Sequence, residues 1–279
     1  MRPENSAGSS QGSVLLGRLA NRAYSGTSES NGVVQRLLYQ CGLGEDSFRK
    51  LHQPSARCFP LHSENGRQLA VQRLQKGDEV HLEDFSCQLS PRSKELFSPY
   101  PWADLRCARQ AFQVAIRRST EGVDAAFLLF FEESPIAHFV LWGAGKTLSF
   151  RGDPLTIPTL GIAVVDRMHG RGFGKRCIRF LQLVAHRLEV DGVELTVAYQ
   201  NVKAARVYGG CEFCEVGTLR IPLGVDPSIS LDDCAAVNDW RDERHMVYIV
   251  ADKRSQMVYE HLLLKECAQN SPASHAIRD

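Results

Sequence analysis

Short apolar runs and longer helical patterns alternate through most of the chain. Apolar runs bounded by turn residues predict strands at 69–74, 125–131, 136–142, 159–165, 193–199, 214–222 and 244–251. Apolar residues at helical spacing predict helices at 84–89, 92–97, 104–118, 175–188 and 257–267. Because strands and helices are interleaved, we expect an α/β (α+β) domain whose mixed sheet carries helices on both faces.

The two ends of the chain depart from this pattern. Residues 1–32 are rich in Ser, Gly and Asn, which is typical of a flexible segment. A short helix is predicted at 33–41, whereas Pro54, Pro60 and the polar run 63–66 indicate a linker. We therefore divide the chain into a largely flexible N-terminal extension (1–65), a domain (66–252) and a C-terminal helix with its tail (253–279). An extension that orders on a partner is the alternative.

The composition narrows the class of protein. A chain of 279 residues and 31.1 kDa suits one domain with tails. A net charge of +1 disfavours nucleic acid as a partner, since DNA binding needs several cations on one face. The sequence shows neither an apolar run of membrane-spanning length nor a signal peptide, and its nine cysteines leave at least one unpaired in a monomer. We expect a cytoplasmic enzyme without a membrane partner. The oligomeric state is open, with a homodimer as one option.

The most informative segment is 160–175, where an apolar strand runs into a turn with three glycines and then a helix. The first-turn amides of a helix have no internal partner and lie at the positive end of its dipole, so they can bind a diphosphate. Gly170, Gly172 and Gly174 let a ligand approach the backbone, and Arg171 and Lys175 add positive charge. The segment predicts a phosphate site; a turn that merely reverses the chain is the alternative.

Two familiar phosphate motifs do not fit this turn. A Walker A loop would need glycine at His169 and Ser or Thr at Arg176. A dinucleotide fingerprint starting at Gly170 would need glycine at Lys175, and its expected carboxylate, Glu194, lies near the start of a strand rather than the end. ATP binding of the Walker type and NAD binding are therefore disfavoured.

A second motif follows the next predicted strand, at residues 201–208, NVKAARVY. Together the two segments resemble the GNAT superfamily of N-acetyltransferases. Residues 171–174 match the central glycines of the family's motif A. The residues that match motif B are Asn201, Ala204, Tyr208 and Phe213. The resemblance covers roughly residues 68–250.

The chain departs from the family pattern at two positions. His169 stands where motif A usually has Gln or Arg, which replaces one phosphate contact by an imidazole. Glu212 stands where the glycine of the Gly-Phe pair is expected, so this turn lacks the conformational freedom of a glycine. Neither departure removes the backbone donors of the glycine turn.

The resemblance implies a fold and a ligand. It implies a mostly antiparallel sheet of six to seven strands with a splay between two central parallel strands, acetyl-CoA as acyl donor, and no metal. The pantetheine arm would pair with one of the two strands, and the thioester oxygen would meet an amide near Val164. The residues expected to contact acetyl-CoA are Ile162, Ala163, Val164, Val165, His169, Gly170, Arg171, Gly172, Phe173, Gly174, Lys175, Asn201, Ala204 and Tyr208.

Tyr208 is the candidate catalytic residue that the resemblance implies. A phenol stays protonated at neutral pH and can supply a proton to a departing thiolate. The alternative is a buried aromatic ring whose hydroxyl binds the backbone. Asn201 is predicted to cap the motif B helix rather than to take part in chemistry.

A general base is harder to assign. Some family members place a glutamate on the strand before motif A, but Leu160 stands there in this chain. Water leading to Glu132 or Glu133 is one alternative, although these two are better interpreted as a solvated hairpin tip. His138 is similarly better interpreted as a core or edge histidine.

Three functions are compatible with the sequence. The leading one is an acetyl-CoA-dependent N-acetyltransferase that acts on a primary amine, either a small molecule or a protein lysine or N-terminus, by direct attack in a ternary complex. The second is a catalytically silent acyl-CoA sensor or adaptor, and the third is an interaction module without a nucleotide ligand. Cys211 and Cys214 form a lone C-x-x-C, which is interpreted as two small apolar residues rather than a zinc site.

Overall fold

The computed structural model describes residues 28–53, 55–62, 68–97, 99–102, 105–222, 240–251 and 254–269. Its helices are α1 (Ser28–Cys41), α2 (Glu45–Lys50), α3 (Glu79–Cys87), α4 (Pro91–Leu96), α5 (Leu105–Thr120), α6 (Phe173–Arg187), α7 (Val202–Gly209) and α8 (Ser255–Gln269). Its strands are β1 (Cys58–Leu61), β2 (Leu69–Arg73), β3 (Ala125–Phe131), β4 (Ser134–Trp142), β5 (Leu148–Phe150), β6 (Asp153–Leu155), β7 (Thr159–Val164), β8 (Gly192–Ala198), β9 (Cys214–Pro222) and β10 (Trp240–Ile249). None of these helices is long and apolar enough to cross a membrane.

Eight of the strands form one sheet, in the order β1-β2-β3-β4-β7-β8-β10-β9. All neighbours in it are antiparallel except β7 and β8. The predicted mixed, mostly antiparallel sheet is therefore confirmed, with one strand more than the six to seven expected. The remaining two strands, β5 and β6, form a small separate hairpin.

The parallel pair opens into a splay. Thr159 and Glu194, close to the starts of β7 and β8, are the partners that connect the two strands, and the strands diverge beyond that point. On its other side β7 pairs fully with β4, from Thr159 to Val164. Among the strands that the structure describes, one edge of β7 is therefore left without a partner toward its carboxyl end.

Helices cover both faces of the sheet. On one face Phe180 of α6 contacts Phe127 and Phe139 with ring centroids 5.1 and 5.9 Å apart, and α1 packs on the outside of α6. The opposite face carries α3, α4 and α5, together with α8, whose Val258 and Leu262 join a second apolar cluster. The face opposite α6 is called the acceptor face below.

Side chains from residues 33–53 and 55–61 pack into the same core as the predicted domain 66–252. The short helix predicted at 33–41 is the second half of α1, with Leu37 and Leu38 buried in the main core. The linker prediction is wrong at Pro60, which lies in β1 at the sheet edge. Proline donates no hydrogen bond and is tolerated at an edge, while its neighbours Phe59 and Leu61 are buried.

Other boundaries differ by a few residues. Helix α3 begins at Glu79, five residues before the prediction, and β10 begins at Trp240 rather than at 244. The hairpin predicted around 132–135 is confirmed. The long loop predicted after Pro222 falls mostly on 223–239, outside the described residues, as do 1–27 and 270–279 of the two predicted tails.

Candidate active site

The glycine turn leaves the carboxyl end of β7 at the open side of the splay. A single 3-10 turn, Asp166–Met168, follows the strand. Gly170 and Gly172 then adopt positive φ angles of 75° and 81°, which only glycine takes without strain, and Gly172 is the N-cap of α6. The chain thereby turns sharply enough to aim the first turn of α6 toward the end of the strand.

The turn presents unpaired donors. Among the described residues, none of the six backbone N–H groups from Gly170 to Lys175 donates a hydrogen bond to protein, and the first bond of the helix runs from the Arg176 N–H to the Gly172 carbonyl at 3.0 Å. The space beside Gly170 and Gly172 is open, since a Cβ placed there would meet no atom within 4 Å. The side chains of Arg171 and Lys175 are exposed. This is a cationic surface that can receive a diphosphate.

His169 has a different partner from the one predicted. Its Nε2 lies 2.8 Å from the carbonyl oxygen of Val164 and donates to it. That carbonyl is at the end of β7, where no further ladder bond is available. The imidazole therefore closes the strand end in this structure, and its contact with a phosphate remains a prediction.

The free edge of β7 supplies a donor inside the splay. The Val165 N–H donates to the Ile136 carbonyl of β4 at 2.9 Å. Successive N–H groups of a strand point to opposite edges, so the Val164 N–H points toward β8. The residues predicted along the pantetheine arm, 162–165, thus combine a paired edge on β4 with an open edge facing the splay.

Tyr208 lies on α7, beyond the end of β8. Its ring is only 8% exposed and packs against Phe213 at 6.0 Å between centroids. The hydroxyl binds no group in the described part of the chain, in contrast to the backbone-bonded alternative. Burial, followed by the negative charge of Glu243, raises the pKa of the phenol well above its ordinary value. Tyr208 is therefore a protonated donor at neutral pH.

Asn201 has the predicted capping role. Its side-chain oxygen accepts a hydrogen bond from the Ala204 N–H at 3.3 Å, which satisfies one of the free donors at the start of α7. The cap fixes the first turn of the helix that carries Tyr208. Ala204 itself is half-buried against the main core.

Glu212 occupies the turn after α7 with a φ of 69°, the conformation that the family's glycine would favour. Its carboxylate lies 3.0 Å from Arg36 of α1 and 3.6 Å from the buried Arg179 of α6. Arg179 also donates to the Gly210 carbonyl. The glutamate thus adopts a left-handed backbone conformation and forms ion pairs with α1 and α6.

Three buried polar residues lie together on the acceptor face, and the sequence analysis did not predict them as part of a site. Glu243 and His245 of β10 lie beside β8, and Glu194 of β8 lies at the closed end of the splay. All three are 7% exposed or less. The signal available in the sequence was the period of two in β10, where Arg241, Glu243 and His245 alternate along a strand.

The positions that the sequence offered for a general base have other roles in the structure. Leu160 is buried in the main core, and Glu132 and Glu133 form the exposed hairpin tip with φ angles of 49° and 70°. His138 is fully buried, with Nε2 2.8 Å from the Tyr100 hydroxyl and Nδ1 3.0 Å from the Phe127 carbonyl. Burial lowers the pKa of His138 to about 4, so it is a neutral core histidine, as predicted.

The C-x-x-C pair is part of the packing. Cys211 is fully buried and its pKa is raised by burial, while Cys214 is half-buried at the start of β9. Within the described ranges, no group of three or more His, Cys, Asp or Glu side chains is arranged to hold a metal ion.

Solved structures with a similar architecture include acetyltransferases. The structure of RimJ from Mycobacterium smegmatis in complex with CoA-disulfide superposes with a TM-score of 0.53 at 16% identity, over 71% of this chain and 88% of that one. The ribosomal-protein-S5-alanine acetyltransferase of Vibrio fischeri superposes with a TM-score of 0.52 at 11% identity, over 68% of this chain and 96% of that one. No protein-family model and no curated protein sequence matches the chain. The chain has the GNAT acetyltransferase fold.

Proposed function

We propose that this protein is an acetyl-CoA-dependent N-acetyltransferase that acetylates a primary amine by direct attack in a ternary complex. The observation that carries the proposal is a set of six N–H donors, from Gly170 to Lys175, at the open end of the splay between β7 and β8. None of them is paired with a residue that the structure describes. Open space beside Gly170 and Gly172 and the cations of Arg171 and Lys175 fit a diphosphate group. RimJ, which shares the fold, was solved with a CoA derivative.

Acetyl-CoA supplies an activated thioester, so the protein's main task is positioning. The open edge of β7 offers backbone groups that can pair with an extended amide-containing arm as an added strand would. The Val164 N–H, which points into the splay, is the donor that we assign to the thioester oxygen. Removal of one such donor in other enzymes costs about 2.7 to 4 kcal/mol of transition-state stabilisation.

Tyr208 is the general acid in this proposal. Its free hydroxyl and its raised pKa make it a hydrogen-bond donor toward the leaving sulfur. The packing of the ring against Phe213 and the Asn201 cap of its helix hold the hydroxyl in place. We assign the amine to the acceptor face, on the side of the sheet opposite α6. A cytoplasmic location belongs to the same proposal, with a small molecule, a protein lysine or a protein N-terminus as the acceptor.

Calorimetry with CoA tests the proposed diphosphate site formed by residues 170–175, called the glycine cradle below. Gly172→Glu places a side chain and a negative charge among the donors, and we expect it to abolish CoA binding. Gly152→Glu is the matched control, because Gly152 is an exposed glycine of the β5–β6 turn with a φ of 89° and open space around it. Both variants carry the same strain and charge. Equal CoA affinity in the two variants would contradict the proposed cradle.

Mass spectrometry tests whether the protein transfers an acetyl group to an amine. Four acceptor probes are incubated with acetyl-CoA: a peptide with a free N-terminal alanine, a blocked peptide with an internal lysine, propylamine, and its less basic analogue trifluoroethylamine. We expect at least one probe to gain an acetyl group in the wild type and none in Gly172→Glu. CoA binding without any acetylated probe would instead support the silent sensor.

A further inference from the structure

A polar row runs along the acceptor face of β10. Glu243, His245 and Val247 project to this face, and their partners on β8 are Ala198, Thr196 and Glu194. Glu194 shares the face with Thr159 of β7, since the Thr159 hydroxyl donates to its carboxylate at 3.2 Å. The row is therefore on the side of the splay from which an amine would approach.

Glu194 and His245 form a buried pair. The Nε2 atom of His245 lies 2.9 Å from Oε2 of Glu194, and Lys265 of α8 donates to Oε1 at 2.7 Å. Burial alone would raise the pKa of Glu194, but the charge of Lys265 and the hydrogen bond from His245 hold it well below the ordinary value. Because the carboxylate is ionised and only accepts, His245 carries its hydrogen on Nε2.

The other ring nitrogen of His245 is unused. Its Nδ1 is buried and has no hydrogen-bond partner among the described residues. His138, the other fully buried histidine, has both nitrogens bonded. In the described part of the chain the other buried side-chain atoms of this kind are three arginine Nε atoms, whose guanidinium groups are bonded through other nitrogens. Such atoms are few in native proteins, and each calls for an explanation such as a catalytic role or a bound water. Thr196, directly opposite His245, is partly exposed, so solvent reaches this part of the face.

We propose that His245, oriented by Glu194, is the general base that removes a proton from the acceptor ammonium, directly or through one water. The inference rests on the proposed acetyltransferase function and supplies the base that the sequence did not reveal. A carboxylate that fixes the tautomer of a histidine and stabilises its imidazolium is an established arrangement for such a task. Glu194 is thus a positioning residue, and His245 is the residue that exchanges the proton.

The proton balance is complete with the groups present. An N–H bond of the ammonium breaks and its proton binds Nδ1 of His245. The neutral amine then forms the C–N bond as the C–S bond of the thioester breaks. The sulfur takes the proton of Tyr208. The attacking nitrogen then carries two hydrogens, of which one passes to the phenolate and restores the phenol while the other stays in the amide. His245 releases its proton to solvent, so the net products are amide, CoA thiol and one proton.

Other charged groups surround the pair. Glu243 lies two residues before His245 on the same face, and its Oε1 is bound by Arg241. Helix α8 contributes Lys265 and His261, and His261 interacts electrostatically with Glu194 and His245. Each of the two buried carboxylates is therefore paired with one cation, Glu243 with Arg241 and Glu194 with Lys265.

The test uses the probe that the wild type acetylates fastest. His245→Gln keeps a donor toward Glu194 and removes the base, and we expect kcat/KM at pH 7 to fall about 100-fold or more with unchanged affinity for CoA. The loss should shrink as the pH rises toward the pKa of the amine, and it should be smaller for trifluoroethylamine than for propylamine where both react. His186→Gln, at a half-buried histidine bonded to Tyr248 on the opposite face, is the control.

Two results would overturn the proposal while leaving the acetyltransferase function intact. One is a His245→Gln variant within threefold of wild type at pH 7. The other is a loss that is the same at every pH and for every reactive amine. Nitrogen-15 NMR of wild-type histidines provides a readout that requires no variant. We expect neutral His245 to carry hydrogen on Nε2, and a hydrogen on Nδ1 would contradict the assignment.

Discussion

Asp166 accepts two hydrogen bonds from Ser90, one from its backbone N–H at 2.9 Å and one from its hydroxyl at 2.8 Å. The Ser93 hydroxyl donates to the same carboxylate at 2.8 Å. Ser90 is also the N-cap of α4. One carboxylate therefore ties a helix of the acceptor face to the turn that leads from β7 into the glycine cradle.

We expect Asp166→Asn to loosen this connection. The variant replaces charge-assisted hydrogen bonds by neutral ones, and a loss of about 1 to 3 kcal/mol in the free energy of unfolding follows. Urea unfolding at pH 7 measures it, with Asp153→Asn, at an exposed position of the small β5–β6 hairpin, as the control. Equal stability of the two variants would show that the Ser90 contacts contribute nothing.

The stability difference between wild type and Asp166→Asn should depend on pH. Burial alone would raise the pKa of Asp166, but the hydrogen bonds from Ser90 and Ser93 outweigh it and lower the pKa. A carboxyl group whose pKa is lowered by folding contributes its full stabilisation at pH values above its pKa in the unfolded chain, near 3.9. This stabilisation is lost as the pH falls through the lower pKa of the folded state. The stability gap between wild type and Asp166→Asn should therefore close at acid pH.

Tyr208→Phe removes only the hydroxyl. Because that hydroxyl makes no bond to the described protein and the ring packs on Phe213, we expect folding and CoA affinity to be retained. Loss of general acid catalysis should lower kcat about 100-fold or more. Steady-state kinetics with the fastest probe and calorimetry with CoA separate the two effects. Tyr39→Phe, at a tyrosine 90% exposed on α1, should behave as wild type.

The central strands and long helices were predictable from the sequence because each has a clear period and lies on one buried face. Strand β1 was not predicted because proline, here Pro60, usually interrupts a strand. An edge strand tolerates a proline where no N–H is needed for pairing. Strands β5 and β6 have three residues each and are too short to show a period. The start of α3 was missed because Val80, in its first turn, is exposed and interrupts the apolar pattern.

The candidate site was predictable only where it is local in sequence. The glycines, Asn201 and Tyr208 lie within motifs whose spacing reflects one strand, one turn and one helix. Glu194 and His245 are 51 residues apart and come together through pairing of β8 with β10. The register of two strands is a tertiary property, so the sequence could not show that these two residues meet.

Gly161 of β7 lies under the indole of Trp142, and a Cβ there would be 2.1 Å from two ring carbons. Trp142 is itself stacked on Phe97 and has little room to move. We therefore expect Gly161→Ala to lower the free energy of unfolding by about 1 to 3 kcal/mol through overpacking. Trp142→Leu in the same chain should recover part of this loss.

Gly217→Ala is the matched control for this prediction. Gly217 is also a strand glycine, and its Cβ would meet the carboxylate of Glu266, which is the far end of a flexible side chain. The variant should therefore lose less stability than Gly161→Ala in urea unfolding. Equal losses would mean that the rigid indole is not the cause.

The buried His138 makes stability depend on pH between about 4 and 6.5. In the unfolded chain a histidine titrates near 6.5, whereas burial lowers the folded-state pKa to about 4. Within this window the unfolded state binds a proton that the folded state does not, so the free energy of unfolding falls as the pH falls, by up to about 3 kcal/mol. His138→Gln keeps a donor for the Phe127 carbonyl and an acceptor for Tyr100 but cannot titrate. Urea unfolding from pH 7 to pH 4 should show a shallower decline of the unfolding free energy in this variant than in wild type. His52→Gln, at an exposed histidine, is the control and should decline as the wild type does. Parallel curves for all three proteins would contradict the role of His138.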